Sequence, residues 1–209
     1  MDIRSQLILL FTLLAVNLNF SQSSFNLIDA RSDKIKFQLI DNLIVIPVEV
    51  NGVELSFLLD TGVSKPILFN IVNLEDSLKI NQVESIFLQG LGGGASVEAL
   101  KSQKNLVRIG DAINVNQDLY VILDEAINFT PRLGIPIHGI IGYDLFKDFI
   151  VEINYSRKFI RLYYPDLYEY RNCNKCETLS LSFYNNKPYL EAMVGIREKD
   201  IPIKLLIDT

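Results

Sequence analysis

From residue 34 onward the chain alternates short apolar runs with polar breaks, and the runs are rich in Ile, Val, Phe and Tyr. That pattern points to strands rather than helices. KIKFQLI (34–40), LIVIPVEV (43–50) and VELSFLLD (53–60) predict two or three strands, broken at Asp41-Asn42 and Asn51-Gly52. Asn-Gly between such runs is a strong hairpin signal, because both residues tolerate the positive φ of a two-residue turn. Ser85 to Leu100 predicts a second hairpin, two apolar arms around a glycine-rich tip. Leu106–Ile109 and Leu119–Leu123 predict further strands about Gly110-Asp111, and FIVEINY (149–155) with KFIRLYY (158–164) a hairpin about Ser156-Arg157. Lys65 to Ile80 suggests a loop or short helix, and Pro131 and Pro136 argue against regular structure over 124–138. The expected fold is all-β, with one or two short helices.

The stretch with chemical content is FLLDTGVS, residues 57–64. Phe57, Leu58 and Leu59 read as a buried strand that ends on the carboxylate of Asp60. Such a placement is costly to desolvate and therefore usually has a chemical use. Gly62 permits a tight turn and the close approach of another segment. Thr61 and Ser64 offer hydroxyls to the turn or to the carboxylate. Taken alone, Asp-Thr-Gly is an ordinary turn composition. The end of the chain changes the weighting: Leu205, Leu206, Ile207, Asp208 and Thr209 repeat the pattern of Phe57 to Thr61, each after a strand-like run with a polar break. Repetition of this kind is the trace of a duplicated unit.

A third segment, GIIGYDLF (139–146), reads as a buried strand ending at glycine, followed by a helical turn over Tyr143–Lys147. Together these motifs resemble the aspartic proteases of the retropepsin-like and pepsin-like type. The resemblance spans about residues 36–209 and is strongest at Phe57–Ser64 and Gly139–Tyr155. It implies a closed barrel-like acid-protease lobe, with Asp60 and Asp208 as the catalytic pair and Thr61, Gly62 and Ser64 in the active-site loop. It further implies that Ile140, Ile141 and Gly142 support the threading of two loops, and that Gly90, Leu91, Gly92, Gly93 and Gly94 tip a flap closing over substrate. Val63, where alanine or serine is common in the family, is a mild departure. The implied activity is aspartic endopeptidase; the alternative is a secreted protease-like domain that binds peptides without cleaving them.

On this reading residues 34–166 form the first lobe, 167–182 a linker, and 183–209 the start of a second lobe. The second aspartate would come from that lobe in cis, or from a homodimer if the chain ends at Thr209. As a monomer ending there, the chain is expected to be inactive or feebly active. Secreted bacterial aspartyl proteases, some with a C-terminal PDZ domain, are similar; no PDZ domain is legible here.

Residues 1–24 read as a secretory signal peptide, with Arg4 ahead of an apolar run of about ten residues, Leu7–Val16. A membrane anchor is the alternative. Export predicts a secreted, periplasmic or cell-envelope protein with no integral membrane span once the signal is removed. The net charge of −5 comes with no basic patch, which excludes a nucleic-acid partner and leaves a peptide or protein substrate. The glycine run lacks the Lys-Ser or Lys-Thr of a phosphate loop. Cys173 and Cys176, the only cysteines, cannot build a four-thiolate zinc site, so a local disulfide is expected, with a redox CxxC as the lesser alternative. His138, the single histidine, has no partner cysteine or GxSxG serine nearby and reads as structural. No metal or cofactor is expected.

Overall fold

The computed structural model describes residues 23–209 except 29, 72–73, 75–76, 89–95, 125–126, 171 and 198. Fifteen strands are described, with two short α-helices and a 3-10 turn over Pro165–Leu167. The first ten are β1 (Asn26–Leu27), β2 (Ser32–Lys36), β3 (Gln38–Ile40), β4 (Leu43–Val50), β5 (Val53–Leu59), β6 (Ile67–Leu68), β7 (Val83–Leu88), β8 (Val97–Ile109), β9 (Ala112–Val121) and β10 (Gly139–Ile141). They are followed by β11 (Ile150–Asn154), β12 (Phe159–Tyr163), β13 (Ser182–Tyr184), β14 (Lys187–Ile196) and β15 (Lys199–Leu206). The helices are α1 (Thr130–Leu133) and α2 (Tyr143–Phe146). The fold is all-β.

One sheet runs β9-β6-β10-β5-β4-β8 and closes on itself through the β8–β9 pairing; β1, β3 and β7 are attached to it. Closure removes the exposed edges of these strands. The turns are those the composition asks for. Asp41-Asn42 (φ 48° and 64°) and Asn51-Gly52 (φ 48° and 88°) carry positive φ at both positions and set the registers of β3–β4 and β4–β5.

Burial within the β4–β5 hairpin follows its two faces. Ile44, Ile46, Val48, Val50, Leu55, Phe57 and Leu59 enter the main core with Val107, Ile109, Val121 and Ile141. Val45 and Leu58 point the other way, under a smaller cluster of Phe69, Leu133 and Ile137. A strand covered on both faces reads as a near-continuous apolar run, and β5 does so as it approaches Asp60. The β11–β12 hairpin forms as predicted. It belongs to a separate three-stranded sheet with β2, whose Ile35, Ile160 and Leu162 seal the same main core. The run 34–40 therefore divides at Phe37 between two sheets.

The last sheet is β13-β14-β15. Its long hairpin, β14–β15, copies β4–β5 in order but not in burial: Met193, Ile196 and Leu205 are exposed, as is Phe183 of β13. Among the described residues, no helix is long and apolar enough to cross a membrane.

Candidate active site

The backbone around Asp60 is fixed from three sides. β10 lies between β5 and β6, parallel to the first (Ile141 beside Leu59) and antiparallel to the second (Ile140 beside Ile67). The loop that joins β5 to β6 must therefore pass over the end of β10. Asp60 N–H donates to the Ile141 carbonyl at 3.0 Å, and Tyr143 N–H to the Val63 carbonyl at 2.9 Å. Between those two bonds sits Gly142, where a Cβ would lie 2.0 Å from the Asp60 carbonyl oxygen and 2.5 Å from that of Val63. Glycine is required here for space. Inside the loop, Gly62 N–H donates to Asp60 Oδ1 at 2.6 Å.

The second Asp-Thr segment meets the first. β15 delivers Ile207, whose N–H continues the ladder to the Pro188 carbonyl at 3.0 Å, and then Asp208 and Thr209. The two threonines exchange bonds: Thr61 Oγ1 donates to the Ile207 carbonyl at 2.7 Å, and Thr209 Oγ1 to the Leu59 carbonyl at 3.1 Å. Thr209 Oγ1 also accepts from Thr61 N–H at 3.2 Å. Each hydroxyl thus bonds the carbonyl one residue before the aspartate of the opposite segment, a nearly twofold arrangement. Asp60 and Asp208 stand side by side above it, the Asp208 carboxyl within hydrogen-bonding reach of Asp60. Both Oδ1 atoms lie close to the Gly62 Cα, 3.0 and 3.2 Å from where a Cβ there would be. Asp60 is half-buried, and Asp208 is exposed.

Burial raises the Asp60 pKa to about 6, reinforced by the hydrogen bond to Asp208 and by its like charge. The Gly62 N–H and the Lys187 ammonium oppose that rise. A proton is therefore retained between two carboxylates well above the usual carboxylate range. Such a pair can give and take protons on one small substrate group.

A family model described as aspartyl protease matches residues 46–145, which span β4 to α2 and contain Asp60. Over those residues the chain is similar to the aspartyl protease family. No curated protein matches the chain. Among solved structures it is similar to a retropepsin-like aspartic protease from Rickettsia conorii, with 20% identity and a TM-score of 0.46, over 68% of this chain and 94% of that one.

The arms of the glycine hairpin, β7 and β8, pair from Val83–Ser102 to Leu88–Val97. The tip itself, Gly90, Leu91, Gly92, Gly93 and Gly94, lies outside the described residues, as does the signal segment through residue 22. A cleft of about 370 Å³ along the tip-side half of β8 is lined by Val97–Leu100, Val121, Leu123 and Asp124, and so by neither Asp60 nor Asp208. Ile140 and Ile141 lie in β10 beside β5, and Ser64 is half-buried on the loop past Val63. Cys173 and Cys176 are bonded to one another in an exposed stretch before β13. His138 Nδ1 accepts the Ser56 N–H at 3.1 Å, and burial pushes its pKa down, a structural role. Among the described residues no three His, Cys, Asp or Glu side chains converge as metal ligands would.

Sequence reasoning missed Lys187, whose Nζ donates to the Gly62 carbonyl. The signal was in the second apolar run: aligned with IKLLIDT in an antiparallel pair, it brings Lys187 opposite Asp208.

Proposed function

We propose that the protein is an aspartic endopeptidase in which Asp60 and Asp208 hold the attacking water between them. What supports the reading is the side-by-side placement of two carboxylates from repeated Asp-Thr segments, tied through exchanged threonine hydroxyls. With one proton on the pair, the ionised carboxylate takes a proton from the water as its oxygen attacks the peptide carbonyl carbon. The protonated carboxyl donates to the carbonyl oxygen, giving a neutral gem-diol. Proton transfer to the amide nitrogen then lets the C–N bond break, releasing acid and amine. The proton inventory belongs to the pair rather than to either residue.

On the same reading the β13–β15 sheet begins a second lobe. Its exposed Phe183, Met193, Ile196 and Leu205 would be covered by further strands, from additional chain or from a second copy. Residues 1–24 serve as an export signal, and the substrate is a peptide or unfolded protein outside the cytoplasm.

The test is hydrolysis of a peptide mixture in H₂¹⁸O by the protein with its second lobe completed, by additional chain or by a second copy, with new termini identified by mass spectrometry. The reading expects one ¹⁸O in each new carboxylate, sensitivity to pepstatin, and loss of cleavage in Asp60→Asn and Asp208→Asn variants that still fold. Binding of the same peptides with no cleavage would instead make the protein a peptide-binding domain.

A further inference from the structure

The two aspartates occupy corresponding places in the repeat, and besides their different burial their surroundings differ by one charged side chain. In the β4–β5 pair Val45 lies beside Leu58, so the register carried two residues on sets Leu43 opposite Asp60. In the β14–β15 pair Tyr189 lies beside Leu206, and the same extension sets Lys187 opposite Asp208. A leucine in one half is thus a lysine in the other. Lys187 follows the turn Asn185-Asn186, both at positive φ, which closes the β13–β14 hairpin and aims the first residue of β14 at the neighbouring loop. Its side chain crosses to the first segment, where the ammonium bonds the Gly62 carbonyl.

We propose that Lys187 is a positioning residue: it clamps the Asp60-Thr61-Gly62 loop to the second segment and sets a fixed positive charge beside Asp60 that has no counterpart at Leu43, the matching position of the first hairpin. This rests on the reading of Asp60 and Asp208 as the reacting pair. Lys187 is half-buried, so its field acts on Asp60 with less screening than a fully exposed charge would have. The charged groups acting on Asp60 are Asp208, from the end of β15, and Lys187, from the start of β14. Their effects are opposed, the first holding the proton on Asp60 and the second favouring its ionised form. Lys187 thereby keeps the pair able to ionise at lower pH than two bare carboxylates would. A strong salt dependence is not expected, because a half-buried contact is screened less than a surface ion pair.

The experiment is a ¹³C NMR titration of the side-chain carboxyls in the full chain, the Asp60 resonance being identified by its loss in Asp60→Asn. Wild type is compared with Lys187→Met, which removes charge and donor, Lys187→Gln, which keeps an N–H donor without charge, and Lys187→Arg, which keeps both. The Asp60 midpoint is expected to move to higher pH in the Met and Gln variants and to stay in place in the Arg variant. A merely structural lysine would alter thermal stability and leave the midpoint alone. An unmoved midpoint in folded Lys187→Gln overturns the proposal, even if Lys187→Met does not fold. Peptide cleavage measured on the same samples separates the two readings: a moving midpoint without cleavage by wild type removes the peptidase, and cleavage with an unmoved midpoint removes the role of Lys187.

Discussion

Gly142→Ala is the substitution that most sharply tests how the site is held. The added Cβ would sit 2.0 Å from the Asp60 carbonyl oxygen and 2.5 Å from that of Val63, both backbone atoms. No side chain can swing aside to relieve either contact. The Asp60 carbonyl accepts Val63 N–H, and the Val63 carbonyl accepts Tyr143 N–H. To bring the shorter contact to 3.0 Å, the loop must retreat by about 1 Å, breaking one or both bonds. Overpacking with backbone displacement costs about 3 kcal/mol, near the upper end for such changes. In a chain of this size that lowers Tm by ~6–12 °C. A 1 Å misplacement of Asp60 would also cost on the order of 100-fold in any reaction it performs. The assay is urea and thermal unfolding by circular dichroism, with Gly195→Ala as control. There a Cβ meets only Asp200 Oδ1 at 3.7 Å, so alanine should be neutral or mildly stabilising in β14. A Gly142→Ala protein within about 1 kcal/mol of wild type would refute the argument from close approach.

Two further outcomes follow from the bonds and titration at the site. Thr61→Val and Thr209→Val should each cost about 1 kcal/mol, and the double variant less than their sum, because both hydroxyls secure one contact between the segments; strict additivity in urea unfolding would contradict this. Asp60 holds its proton to about pH 6 in the fold and to about 3.9 in an unfolded chain, so the native state binds more protons between those values. The stability this proton contributes is full below about pH 4 and lost as pH rises through about 6. Unfolding midpoints of wild type relative to Asp60→Asn should therefore fall across that window, and a flat difference would count against the raised pKa.

The parts of the fold legible in the sequence are those written in local chemistry. Asn51-Gly52 and Asp41-Asn42 carry their own turn preference, and β4 and β5 carry long apolar runs, so the hairpin that delivers Asp60 was visible. The repeat of Asp-Thr after an apolar run was likewise visible, and the structure brings the two copies together. What was hidden depends on distant partners. β6 has two residues, Ile67–Leu68, and exists because β9 and β10 flank it. The run 34–40 changes sheets at Phe37 because β12 takes up its first half and β4 its second. In the proline-containing segment, Pro131 falls in the first turn of α1, where it lacks no needed N–H, and Gly134 ends the turn at φ 73°. That segment covers Leu58 on the outer face of the Asp60 strand. Lys187 was overlooked for the same reason: its importance lies in a register and a crossing of 125 residues, not in its neighbours.

The central claim is that Asp60 and Asp208 work as one carboxylate pair sharing a proton. The most direct test is kcat/KM against pH for cleavage of a peptide found in the ¹⁸O experiment, measured for wild type, Asp60→Asn and Asp208→Asn. The account predicts that activity falls as pH rises through about 6, when Asp60 gives up its proton, and that both asparagine variants lose cleavage at every pH. Cleavage undiminished at pH 8, or surviving in either variant, would contradict it.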